Sequence, residues 1–244
     1  MFARTRLLAR VSWQEGWSLN ERPTAKLELT ASTSLYGPHQ SRFARHLERR
    51  EQRRQDPVAH ELRTRLLAGL RGAVIEVGAG DGRSFEHYPP TVERLLAAEP
   101  DPVAREAAAE RARAATPRIE VAAGVADALP APTASFDAAV VMGVLCSVPD
   151  VSAALAEIQR VLVPGGELRL WEHVRSHNPA FRLVQRAADS LFWTRSLGGC
   201  ETSRDTEAAI RAAGFEILRL EHGFHSSSLL TVPCAPYVLG VARR

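Results

Sequence analysis

Val74-Ile75-Glu76-Val77-Gly78-Ala79-Gly80-Asp81-Gly82 is a short apolar run that meets three glycines at alternate positions. A run of that length, ended by glycine, reads as a buried strand leaving a sheet at its carboxyl end. The glycines let the chain turn sharply and let a ligand come close to the backbone. In open α/β sheets, ligands bind at such strand ends, beside a switch in topology. The spacing is GxGxG, and Arg83 stands where a GxGxxG dinucleotide fingerprint needs its third glycine.

Working outward, further strands are predicted over residues 94–99, 119–123, 136–145, 167–173, 215–221 and 237–242. Helices alternate with them. One runs from Arg42 to about Arg54, and a second from Asp56-Pro57 to near Leu70. A third begins at Asp101-Pro102. A fourth begins at Asp150, with Val151, Leu155, Ile158 and Leu162 on one face, and stops at Pro164-Gly165-Gly166. A last one spans residues 205–213. This alternation predicts a doubly wound α/β fold with a seven-strand, mostly parallel sheet. The final two strands have no helix between them, so the C-terminal strand is predicted antiparallel, as a hairpin or sheet edge.

The chain has 244 residues, 45% hydrophobic and 24% charged, which excludes disordered, collagen-like and disulfide-scaffold classes. The longest apolar run, Ala138 to Cys146, is too short to cross a bilayer, so no transmembrane segment is expected. The net charge of +3 is local: eight Arg against four acids between Arg42 and Arg65 give +4. Interleaved acids and few aromatics make that stretch a solvated helix face, and no nucleic-acid partner is expected. Three widely spaced cysteines, Cys146, Cys200 and Cys234, show neither CxxC spacing nor a disulfide framework. A cytoplasmic protein without a metal site is the expectation. Residues 1–38 have no sustained period and read as an atypical or flexible extension to a domain at 39–244.

Glu99 ends the second strand, 21 residues after Gly78, where a carboxylate can accept from both hydroxyls of a ribose. Four pieces in order are the glycine loop, Glu99, Leu129-Pro130 before Ser135-Phe136-Asp137, and residues 157–166 ending in Pro164-Gly165-Gly166. Together they resemble class I S-adenosylmethionine-dependent methyltransferases. The resemblance implies that Gly78, Gly80 and Gly82 surround the methionine part of S-adenosylmethionine and that Glu99 holds its ribose. It places Met142 and Gly143 near the transferring methyl. Glu76, Ala79, Pro100, Val125, Ala126 and Asp127 complete the expected cofactor set. Val125 stands where many relatives have an acid for the adenine amino group, so Asp127 or backbone groups would serve instead.

Val144-Leu145-Cys146-Ser147-Val148, Glu172-His173-Val174, His87-Tyr88-Pro89-Pro90 and Gly199-Cys200 with Thr202 and Arg204 resemble the methyltransferase-like thiol S-methyltransferases. That family acts on small alkyl thiols. Its animal members carry an N-terminal apolar anchor that this sequence lacks, so a membrane location is not carried over.

A thiol with a pKa of about 8.5 is already partly ionised and needs little help from a base, whereas a phenol or carbon acid needs one. His173, at a strand end on the active rim, is the candidate base, with His222 and His225 weaker candidates. Cys146 reads as a small buried hydrophobe and Cys200 as exposed. Residues 174–203 form an insertion with an amphipathic helix over 179–192, read as a substrate lid. Leu145, Cys146, Phe192 and Trp193 are the candidate acceptor-lining residues. The acceptor is a small molecule, a thiol first and a phenolic or quinone-like metabolite second. A nicotinamide oxidoreductase and a non-catalytic cofactor-binding protein are the rivals.

Overall fold

The computed structural model describes residues 56–194, 199–226 and 229–244. The predicted extension at 1–38, the helix from Arg42 and most of the arginine-rich stretch lie outside the described residues. Seven strands form one sheet in the order β3-β2-β1-β4-β5-β7-β6. They are β1 (Gly72–Val77), β2 (Val92–Ala98), β3 (Arg118–Ala122), β4 (Phe136–Met142), β5 (Leu162–His173), β6 (Glu216–Phe224) and β7 (Pro236–Arg243). Pairing is parallel from β3 through β5, and β7 is antiparallel to both β5 and β6.

The sheet is covered on both faces, and alternation along β1 shows how. Ile75 and Val77 pack with Leu155 and Ile158 on one face. Val74 packs with Leu62, Leu66 and Leu67 on the other. The covering helices are α1 (Pro57–Leu67), α2 (Pro102–Ala112), α3 (Val151–Val161), α4 (Pro179–Ala188) and α5 (Thr206–Ala212). Each begins at a side chain that accepts the otherwise unpaired N–H groups of its first turn: Asp56, Asp101, Asp150, Asn178 and Asp205. Such a cap contributes about 1 kcal/mol, and proline follows it in α1, α2 and α4. No helix among the described residues is long and apolar enough to cross a membrane.

Several boundaries differ from the sequence reading. Leu162 does not extend the α3 face. It leaves helical geometry at φ −72°, ψ 144° and starts β5. Pro164-Gly165-Gly166 therefore lies inside the strand, where the register jumps from Phe136↔Leu162 to Ala138↔Glu167. α1 ends at Leu67, three residues before Leu70. β4 stops at Met142, not Leu145, because the chain turns at Gly143 with φ +70°. The antiparallel strand β7 is interior, and β6 takes the edge. The predicted amphipathic helix is α4, prolonged as a π-helical turn over Asp189–Trp193.

Candidate active site

The chain passes from β1 outward to β2 and β3, then returns to β4 on the other side of β1. The crevice at that reversal is where α/β sheets bind ligands, and four loops meet there. The Gly78–Gly82 loop follows β1, and its first residues are tied to β2 by Gly78 N and Ala79 N donating to Ala98 O at 2.8 and 3.2 Å. Side chains added at Gly80 or Gly143 would meet open space, whereas one at Gly78 would run into Val144 Cγ2 at 2.6 Å. The open sides of Gly80 and Gly143 leave room beside the backbone at this crevice.

Glu99 points back into this loop. Its Oε2 accepts from Gly80 N at 2.8 Å and its Oε1 from Asp101 N at 2.9 Å. Each oxygen keeps a lone pair for a ribose hydroxyl. Burial raises the Glu99 pKa, while the two backbone N–H groups oppose that rise. Pro100 follows, and its carbonyl accepts from Arg105 at 3.1 Å. Glu76 lies deeper, in the β1 interior. The Ser84 hydroxyl donates to both its oxygens at 2.7 Å and the Tyr88 hydroxyl to one at 3.0 Å. Burial lifts Glu76 to about 7 against those bonds. Glu76 thus anchors the turn after the glycine loop. No local pattern marks Ser84 or Tyr88 for this role, because only the fold brings their hydroxyls to Glu76.

After β3, Val125 and Ala128 bridge across a tight turn, with Ala126 buried and Asp127 exposed. The turn is held from below by α3. Glu157 accepts from Leu129 N at 2.9 Å, and Arg160 donates to Ala131 O at 2.8 Å. This explains why Leu129-Pro130 and the 157–166 stretch occur together: one supports the other.

The fourth loop is the most heavily built. Glu172, buried at the end of β5, accepts from Val144 N at 2.9 Å and Cys146 N at 3.1 Å. Arg204 donates from the other side to Leu145 O at 2.7 Å and Val148 O at 2.6 Å. Burial, followed by the neighbouring Cys146 sulfur, raises the Glu172 pKa well above the carboxylate range. Leu145 packs into the core beneath the sheet rather than lining a pocket.

His173 alternates away from Glu172, and its Nδ1 lies 3.7 Å from Cys146 Sγ and 3.7 Å from Cys200 Sγ. Cys200, expected exposed, is 7% exposed. Cys146 is fully buried but is not an isolated hydrophobe. The Cys200 thiol and then His173 hold its pKa well below that of an ordinary thiol. The bond to Cys146 pushes Cys200 up. Burial opposes charge on His173, but the Cys146 sulfur outweighs it and raises the imidazole. Twenty-seven residues separate each cysteine from His173, so no local spacing could reveal the group.

The 174–203 segment is pinned to this cluster. Gln185 Nε2 donates to the carbonyls of Val174, Thr202 and Pro233, and Asp189 accepts from Thr202 N and Ser203 N. Trp193 is buried against Cys146, Ala188 and Cys200. Val184 and Leu191, two of the apolar residues that suggest the amphipathic face, are 52% and 74% exposed, and Leu183 beside them is 65% exposed. The side chain of Phe192 is outside the described set.

The weaker bases are engaged elsewhere. His222 stacks edge-on against His177 in a cleft of about 310 Å³ with Glu207 and Arg211. His225 Nε2 lies 2.6 Å from Asp56 Oδ2.

Comparison with known proteins agrees with this architecture. A family model described as a methyltransferase domain matches residues 75–170. The chain is 31% identical to human thiol S-methyltransferase TMT1B over 182 residues, 72% of this chain and 73% of that protein. It is 32% identical to human thiol S-methyltransferase TMT1A over 159 residues, 62% of each. Among solved structures, a protein from Bacillus halodurans described as a methyltransferase superposes with a TM-score of 0.63 at 17% identity, covering 77% of this chain and 99% of that one. The [4+2]-cyclase SpnF superposes at 0.58 with 22% identity, covering 77% and 80%. At those identities the structural likeness shows the fold alone.

Proposed function

The chain belongs to the thiol S-methyltransferase family of class I S-adenosylmethionine-dependent methyltransferases, and from that premise we propose that it methylates the sulfur of a small alkyl thiol. The observation that carries the cofactor assignment is Glu99: a buried carboxylate aimed at the glycine loop beside open space at Gly80. Those residues fit a nucleoside with free ribose hydroxyls and a flexible charged tail.

In this reading Glu99 holds the ribose, and Gly78, Ala79, Gly80 and Gly82 border the methionine portion. Val125, Ala126 and Asp127 border the adenine, with Pro100 beside it, and Met142 and Gly143 border the reacting end. Glu76 acts at one remove, by fixing the turn that the loop enters. S-adenosylmethionine, when bound, supplies a methyl group on a sulfonium that any aligned nucleophile can take.

The protein's part is alignment and exclusion of water. Glu172 and Arg204 fix the Val144–Val148 loop on its amide and carbonyl sides. That bonding holds the acceptor-side wall in place beside the Met142–Gly143 turn. His173 lies against the same wall, its Nδ1 3.7 Å from Cys146 Sγ and 3.7 Å from Cys200 Sγ, and a thiol acceptor, already partly ionised, needs little help from a base. The described part of the segment, α4 and Trp193, forms the wall behind it and is tied down by the bonds of Gln185 and Asp189.

Calorimetric titration with S-adenosylmethionine, with NADH in a parallel cell, tests the cofactor. Micromolar binding of the first alone is expected, and binding of NADH alone would sink the reading. Mass spectrometry of products from alkyl thiols, phenols and quinone-like compounds then tests the acceptor. Methylation confined to phenols or quinones would overturn the thiol assignment.

A further inference from the structure

Cys146, His173 and Cys200 reach one point from three parts of the chain: the loop after β4, the end of β5 and the end of the 174–203 segment. We propose that Cys146 Sγ, Cys200 Sγ and His173 Nδ1 are three ligands of a zinc ion whose fourth position takes the sulfur of the thiol acceptor. The metal site stands on its own geometry; only its fourth ligand rests on the thiol reading above.

The three ligand atoms lie within 4.8 Å of one another, and both sulfurs are 3.7 Å from the same nitrogen. Tetrahedral zinc with Zn–S of about 2.3 Å and Zn–N of about 2.0–2.1 Å separates sulfur from nitrogen by about 3.6 Å. The two sulfur–nitrogen edges therefore need to contract by only about 0.1 Å to accept the ion.

The donor set selects the metal. Two soft thiolates and an imidazole suit zinc, and none of the three is a carboxylate of the kind that magnesium or calcium requires. Two thiolates also neutralise a dication, which matters where both cysteines are buried. Three protein ligands with one position left over is the pattern of zinc sites that handle a substrate.

The backbone is arranged to hold the pair. Glu201 N donates to Cys146 O at 2.8 Å, so the two cysteine segments run against each other. Gly199 has φ +86°, and a side chain there would meet Ser147 O at 2.9 Å; only glycine lets Cys200 come this close. Cys146 lies four residues beyond Met142, on the rim where the methyl is delivered in the proposed site. A thiol entering the fourth position forms a Zn–S bond and releases its proton to solvent. Its sulfur is then a thiolate at neutral pH, with no net oxidation or reduction. Cys234 packs beside the cluster, and its thiol donates to Thr231 O at 3.1 Å.

Elemental analysis and cobalt substitution of the full chain test the site. Wild type is expected to carry about one zinc per chain and, with cobalt, to show a thiolate-to-cobalt charge-transfer band. Cys146→Ser and Cys200→Ser should each lose metal and band while keeping their circular dichroism and S-adenosylmethionine binding. Cys234→Ser should keep both, and adding an alkyl thiol without cofactor should intensify the band. Wild type without zinc and without a cobalt–thiolate band would overturn the proposal. Metal retained in the first two variants would do the same, as would a Cys146–Cys200 disulfide in place of metal. Loss of metal in Cys234→Ser would overturn the open fourth position. Zinc bound without thiol methylation would refute the thiol reading and leave the metal site standing. Thiol methylation by metal-stripped enzyme would refute the metal's role and leave the thiol reading standing.

Discussion

Replacing Gly80 by alanine should cost little stability and much cofactor affinity, and replacing Gly78 should do damage in the fold itself. Both residues have positive φ, +57° and +70°. An alanine there pays roughly 1–2 kcal/mol of left-handed strain. At Gly80 the new methyl meets nothing within 4 Å, so strain is the whole effect. At Gly78 it overlaps Val144 Cγ2 at 2.6 Å, and Val144 cannot retreat freely because Glu172 holds its N–H at 2.9 Å. Overpacking of that kind adds roughly 1–3 kcal/mol. For a chain of this size 1 kcal/mol shifts Tm by roughly 2–4 °C, so Gly80→Ala should lower Tm by roughly 2–8 °C and Gly78→Ala by roughly 4–20 °C. The Gly80 methyl enters the space assigned to S-adenosylmethionine, and binding should weaken by about tenfold or more, which is about 1.4 kcal/mol. Differential scanning fluorimetry and calorimetry on both variants decide it. A folded Gly80→Ala protein that binds S-adenosylmethionine like wild type would refute the assignment of that space to the cofactor.

Other perturbations have equally definite outcomes. Glu99→Ala removes the ribose acceptor and leaves Gly80 N and Asp101 N without their partner, so cofactor Kd should rise at least about tenfold; Asp127→Ala, at an exposed turn, should change it less than about threefold. Calorimetry giving the reverse order would move the adenine contact onto Asp127. Glu76 titrates near 7 when folded and near 4.5 ordinarily, so its contribution to stability is best below pH 4.5, falls between 4.5 and 7, and levels off above. That fall is about 3 kcal/mol and should vanish in Glu76→Gln; urea unfolding at pH 5 and pH 8 with equal pH dependence in both proteins would contradict it. Trp193→Ala empties a buried site against Cys146 and Cys200 and should cost roughly 3–5 kcal/mol, whereas Leu191→Ala on the exposed face should stay within about 0.5 kcal/mol. An unchanged Tm in Trp193→Ala would show that the segment is a loose lid after all.

The strand–helix alternation, the glycine turn and its paired acid are readable from residue order, because these rest on local chemistry. An apolar run needs a sheet, an Asp-Pro pair starts a helix, and alternating glycines free a turn for a ligand. Glu99 and Gly80 are legible for that reason, and the fold brings them to 2.8 Å. Tertiary structure alone decided where elements end under competing pairings. Leu162 satisfies the helical period but gains a strand partner in Phe136, and the strand wins. It also decided which apolar residues of α4 are inside: Gln185 and Ala188 are buried and Leu183 is not, because three carbonyls converge on one amide. Cys146, His173 and Cys200 carry no spacing signal. Their meeting depends on the register of β4 against β5 and on Gly199 passing close to Ser147. Contacts between residues far apart in sequence are set by how the whole sheet packs, and no local pattern records them.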